Sequence, residues 1–186
     1  MDILRTPIRV LALLILIAAY GQRTVAQSTA IPEYRVKATF LFQFTQFVDW
    51  PGDAFASPQT PLVIGILGDD PFGSFLDETV RNEKADGHPL SVERYSRLED
   101  IRNCHVLFVS RSEANRMPEI LAAVKGRSTL VVGDLNGFAD RGGMIQFVTE
   151  ESKIHLRINL AAAKAAKLTI SSKLLRPATV INSGAD

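Results

Sequence analysis

The chain carries a single cysteine, Cys104. A lone thiol cannot close an internal disulfide, so a domain working in an oxidising compartment must be stable through its core alone. Cys104 opens the apolar run CHVLFVS, which suits a small buried core residue; a thiol exposed for pairing with another chain is the sharper alternative. Charge of one sign is also missing. Lys and Arg number 21, Asp and Glu 20. That balance argues against nucleic acid, which is held through clustered cations that neutralise phosphates. No basic run suggests a membrane surface. Long hydrophobic runs are absent after the first residues, so nothing later reads as a membrane span. Histidine is scarce, at three residues. No C-x-x-C, H-x₃-H or H-E-x-x-H spacing occurs, and a metal site is unsupported. Neither G-x-G-x-x-G nor G-x-x-x-x-G-K-[ST] occurs, and no cofactor is expected.

What is present begins with an export signal. Arg5 and Arg9 precede the apolar run VLALLILIAA. That run is too short to cross a bilayer, which needs about 20 residues. Thr24-Val25-Ala26 then offers small residues at the spacing a signal peptidase reads, placing cleavage between Ala26 and Gln27. The expectation is a signal over 1–26 and one domain over 27–186, working outside the cytoplasm. Loss of Arg5, Arg9, Arg23 and Asp2 with the signal leaves a small net negative charge.

The rest reads as strands alternating with helices. Residues 33–50 form a helix stopped by Pro51-Gly52. Tyr34, Phe40, Leu41, Phe44 and Val48 share one face; Phe47 and Trp50 widen it, and Phe42 lies nearly opposite. LVIGIL (62–67), CHVLFV (104–109) and TLVV (129–132) read as strands buried on both faces of a parallel sheet. A more polar strand over 87–95 belongs towards an edge. Helices are expected over 72–82, with Asp70 as cap and Pro71 first, and from a Ser110–Glu113 capping box to Val124. A Gly- and Asp-rich loop fills 133–143. Period-two alternation over 144–148 and 154–158 predicts an antiparallel hairpin with four or five turn residues. Asn159 caps an Ala-rich helix to 167, Ser171 and Ser172 open a last short one, and NSGAD frays. The fold class is α/β: a three-layer Rossmann-like sandwich whose mixed sheet ends in an antiparallel hairpin.

Ligands in such sheets sit at the carboxyl ends of the strands, here Asp69, Asp70, Ser110 and Asp134. A nucleotide site lacks its fingerprint. A phospho-acceptor receiver would need an Asp where Ser110 stands. A Ser-His-Asp hydrolase needs a positioned histidine, and none of His88, His105 and His155 falls on a strand-end loop. His155 falls on the solvent side of the hairpin. A glycoside-cleaving pair needs two carboxylates at a set separation, and no pair stands out. Two further readings remain: a small-ligand sensor at Asp69, Asp70 and Asp134, and a protein-binding module. The second draws on surplus aromatics Phe42, Phe47 and Trp50, which either pack under the 53–61 loop or present a patch to a partner. The loop 134–143, with Asp134, Asn136 and Phe138, is a second candidate for partner contact.

Five segments in order, EYRVKATFLFQFTQFVDWP, PLVIGILGDDPFG, CHVLFVS, GFADRGGMIQFV and KIHLRINLAAAKAAKLTISSKLLRPA, resemble the YfiR family of periplasmic regulators. The resemblance spans about residues 33–180. It implies a non-enzymatic protein with a Rossmann-like fold that can form a homodimer. It further implies binding to the periplasmic part of an inner-membrane diguanylate cyclase or sensor kinase. In the best-known family circuit the cyclase is held inactive until an outer-membrane lipoprotein sequesters the repressor; cyclic di-GMP then rises and biofilm matrix follows. That circuit's repressor uses disulfides. Cys104 matches one such position, but no second thiol exists here.

Overall fold

The computed structural model describes residues 30–182; the expected signal, its Ala26–Gln27 cleavage point and the last four residues lie outside them. The described residues open with helix α1 (Ala30–Phe47) and a two-residue strand β1 (Val48–Asp49). Strand β2 (Leu62–Leu67) and helix α2 (Ser74–Val80) follow, then β3 (Lys84–Ala85) and β4 (His88–Tyr95). Next come β5 (Val106–Val109), a 3₁₀ segment (Arg111–Arg116), α3 (Met117–Val124) and β6 (Leu130–Gly133). The hairpin β7 (Ile145–Glu150) and β8 (Lys153–Asn159) leads to α4 (Leu160–Ala165), β9 (Thr169–Ile170), α5 (Ser172–Leu175) and β10 (Thr179–Ile181).

One eight-stranded mixed sheet runs β10-β8-β7-β6-β5-β2-β4-β3. Five neighbours, β4, β2, β5, β6 and β7, are mutually parallel. Numbered in chain order those five read 2-1-3-4-5, the flavodoxin-type doubly wound arrangement. The chain leaves β2 towards β4 and later runs from β5 towards β6, in opposite directions across the sheet. Right-handed crossovers therefore put α2 and α3 on opposite faces. The continuous apolar runs expected of doubly covered strands are buried at every position of β2, β5 and β6.

Several boundaries differ from the sequence expectations, each for a local reason. Helix α1 ends at Phe47 because Val48 and Asp49 extend to pair antiparallel with Ile170 and Thr169. The expected single helix from Ser110 to Val124 is a 3₁₀ segment followed by α3, and Ser110 makes no capping bond. Pro118 lacks an amide hydrogen and sits at the start of α3, where that loss is harmless. Asp70 bonds the amides of Phe72 and Gly73 at 2.8 and 3.3 Å, but the cap position itself is Gly73. Asn159 and Ser171 cap α4 and α5 as expected. Strand β10, unexpected from sequence, joins parallel to β8 at the sheet edge.

The hairpin turn is tighter than its composition suggests. Glu150 pairs with Lys153, leaving only Glu151 and Ser152, both left-handed at φ 47° and 61°. That is the backbone of a type I′ turn, which favours Asn-Gly. Replacing Glu151-Ser152 by Asn-Gly is expected to stabilise the protein by about 1 kcal/mol. Thermal unfolding checks this; an unchanged or lower Tm contradicts the turn assignment.

Candidate functional site

The site is built where α1 crosses the carboxyl ends of the sheet strands. Helix α1 buries Lys37, Ala38, Leu41, Phe44 and Thr45 along one stripe, which Val48 of β1 continues. Phe44 stacks on Phe147 of β7 at 5.7 Å, and Phe40, half-buried, lies 5.9 Å from the same ring. Lys37 falls in this stripe one turn after Tyr34, and it is fully buried. The sequence reading passed over it; the signal available was a lysine at i+3 and i−4 from Tyr34 and Leu41.

Lys37 is buried with charge partners around it. Its Nζ lies 2.6 Å from Asp134 Oδ2, just beyond the end of β6, and 2.5 Å from Glu33. Tyr34 donates its hydroxyl to the same Oδ2 at 2.9 Å, and Arg111 reaches it at 3.2 Å. Asp134 Oδ1 is buried with no hydrogen-bond partner among the described residues. Burial and the Asp134 charge raise the Tyr34 pKa, keeping it a neutral donor. Burial pushes Glu33 up, but hydrogen bonds from Lys37 and Thr149 outweigh it, and its carboxyl lies below the ordinary value.

The other acids at the strand ends do not join this cluster. Asp70 accepts from Arg94 Nε at 2.7 Å, and Arg94 also grips Asp77 of α2 with two nitrogens at 2.6 and 3.2 Å. The Arg94 hydrogen bonds hold Asp77 below its usual pKa. Asp69 is exposed, with its amide bonded to Ser112 Oγ at 3.0 Å. At the switch point between β2 and β5, Gly68 adopts φ 87°, and a Cβ there would strike Ser112 and Glu113. The two loops thus meet where doubly wound proteins usually open a ligand crevice. Asp69, Asp70 and Asp134 are not brought together in one pocket.

The expected partner-contact residues fall into two groups. Phe42, Phe47 and Trp50 are half-buried and pack against the core. Trp50 lies edge-on to His105, at 6.5 Å, with its Nε1 buried and without a hydrogen-bond partner among the described residues. Phe55 from the 53–61 loop is stacked between His88 and His105, at 3.7 and 4.5 Å. His105 Nδ1 accepts the Val63 amide, so Nε2 carries the proton given to Ala54 O. Burial lowers the His105 pKa, which keeps this neutral arrangement. In the loop 134–143, Asn136 is exposed, whereas Asp134 and Phe138 point inward. Phe138 is fully buried against Gly133 and Gly143, so its part in any contact is to shape the loop.

Cys104 is buried and donates to the Val106 carbonyl at 3.1 Å. Burial pushes its thiol pKa up to about 12. Iodoacetamide at pH 8 is expected to leave the native protein unlabelled and to modify it only on unfolding, since the thiolate is the nucleophile. Mass spectrometry before and after urea checks this; rapid labelling of the native protein contradicts the burial. His155 is exposed on the hairpin, as its alternation predicted.

These features define a doubly wound α/β domain whose strand-end acids Asp70 and Asp134 are each paired with a cation. The sequence over residues 34–179 matches the family model described as YfiR/HmsC-like, and the chain belongs to that family. The family comprises periplasmic regulators that act with membrane signalling proteins of the diguanylate cyclase kind. No curated protein matches the chain. Among solved structures it is similar to the ABC domain in complex with L-Trp from Streptococcus pneumonia, at 14% identity and TM-score 0.49. That likeness covers 64% of this chain and 55% of the other. No helix among the described residues is long and apolar enough to cross a membrane.

Proposed function

We propose that the protein is exported and binds the periplasmic part of an inner-membrane diguanylate cyclase, holding it inactive and so restraining cyclic di-GMP and biofilm formation. The family match over residues 34–179 carries this reading. Repression follows if the protein binds the inactive state of the cyclase better than the active one. Release by an outer-membrane lipoprotein and a homodimeric form belong to the same proposal. The contact surface is assigned to the half-buried aromatics Phe42, Phe47 and Trp50, with the exposed Asn136 of the 134–143 loop as a second point of contact. Aromatics are enriched at the centres of interfaces, which supports the first assignment.

The test is co-purification of the protein with the periplasmic domain of a membrane cyclase encoded beside it. Binding, and its loss in Phe42→Ala or Asn136→Asp at unchanged circular dichroism, is the expected result. No binding to that neighbour, or wild-type cellular cyclic di-GMP after deletion of this protein, sinks the reading.

A further inference from the structure

A groove between α3 and α4 is used by none of the contacts above. It encloses about 540 Å³ and is walled by apolar residues, among them Leu121, Val124, Val131, Met144, Ala162 and Ala166. Its size follows from the sequence of α4, LAAAKA. That helix offers methyl groups where leucine or phenylalanine would reach the sheet. Interiors are otherwise close-packed, and a hollow of this volume falls within the range of small-molecule sites.

The rim has one sign of charge. Lys125, Arg127 and Arg141 line the groove, and no acid does. Two of these cations are positioned by backbone: Arg127 Nη1 donates to Ile101 O at 2.7 Å, and Arg141 Nη2 to Ala114 O at 3.2 Å. Arg127 also lines an adjoining polar cavity of about 250 Å³, shared with Arg102, Lys167 and Asp53. Gly142 and Leu121 meet in the groove wall: a Cβ added at Gly142 would sit 3.1 Å from Leu121 Cδ1.

We propose that this groove binds an anionic single-chain amphiphile, of the fatty-acid carboxylate class. The chain lies against the alanines of α4 and the apolar face of α3, and the carboxylate meets Arg127, Arg141 and Lys125. Charge complementarity selects the head; the apolar wall selects the tail. The inference stands apart from the cyclase reading, because it concerns the opposite face of the sheet from α2 and needs no partner protein.

The test is titration of the purified full chain with sodium laurate below its micelle concentration, followed by calorimetry and thermal unfolding. Saturable one-to-one binding is expected, with an unfolding constant reduced about 100-fold at a hundred times Kd. Ala162→Leu combined with Ala165→Leu fills the groove at little cost in helix propensity and should weaken binding at least about tenfold. This variant also controls for laurate held by the apolar leader, which it leaves intact. Lys125→Gln with Arg141→Gln should weaken laurate about tenfold and dodecanol hardly at all. Equal laurate binding by the filled variant overturns the site. Equal affinity for dodecanol and laurate overturns the anionic assignment. Binding of an acidic amphipathic peptide where laurate does not bind makes the groove a protein-docking surface and also overturns the proposal.

Discussion

Asp134→Ala is expected to destabilise the protein by about 3–5 kcal/mol, a Tm loss of roughly 10 °C. The reason lies at the other end of the pair. Lys37 is fully buried, and Asp134 Oδ2 at 2.6 Å is its shortest contact with a buried acid. Removing the carboxylate leaves an ammonium deep in the protein with only the partly exposed Glu33 beside it. The Coulomb gain of the intact pair is offset by desolvation, so the pair itself adds little; breaking it is what costs. Lys37→Met with Asp134→Leu should therefore recover most of the loss. Chemical denaturation of the single and double variants decides this. A double variant no better than Asp134→Ala contradicts the account.

The same cluster sets an acid limit. Glu33 has its pKa lowered in the folded state, below its ordinary 4.5. A depressed carboxyl contributes stability above its unfolded pKa and loses it as pH falls through the folded value. Stability should decline below about pH 4.5, and Glu33→Gln should flatten that decline.

Gly143→Ala is expected to cost at least about 1–3 kcal/mol, and more if the backbone cannot shift. A Cβ at Gly143 would overlap the Phe138 ring, and one at Gly133 would lie 2.5 Å from Phe138 Cε2. Phe138 is thus clamped between two glycine backbones, in a site with no exposure. Gly143 does not need a positive φ, so the cost comes from volume alone. Phe138→Ala should by itself lose about 3–5 kcal/mol through the cavity it leaves. In the double variant the added methyl enters that cavity, and the combined loss should fall below the sum of the two. Additive losses in urea unfolding would mean that the ring and the glycine do not share this space.

These residues mark the line between what pattern can and cannot supply. Buried strands at 62–67 and 106–109 were readable because a strand covered on both faces must be apolar at every position. The hairpin was readable from alternation, and Asn159 from its place before an alanine run. Phe138 looked like a loop aromatic because its neighbours are Gly, Asp and Asn. Those glycines are there to let the backbone approach its ring, a long-range packing fact that local composition does not show. Lys37 drew no notice in the sequence for the same reason: its partner is 97 positions away.

By itself, then, the sequence determined the family and the strand–helix alternation, because each depends on residues near one another in the chain. Tertiary structure alone decided the rest. It closed the strand-end crevice with Gly68 and Ser112, divided the strand-end acids between Arg94 and Lys37, and left the alanines of α4 facing a hollow rimmed with cations. Each of these depends on which segments the doubly wound sheet sets side by side, and topology, not local pattern, fixes that neighbourhood.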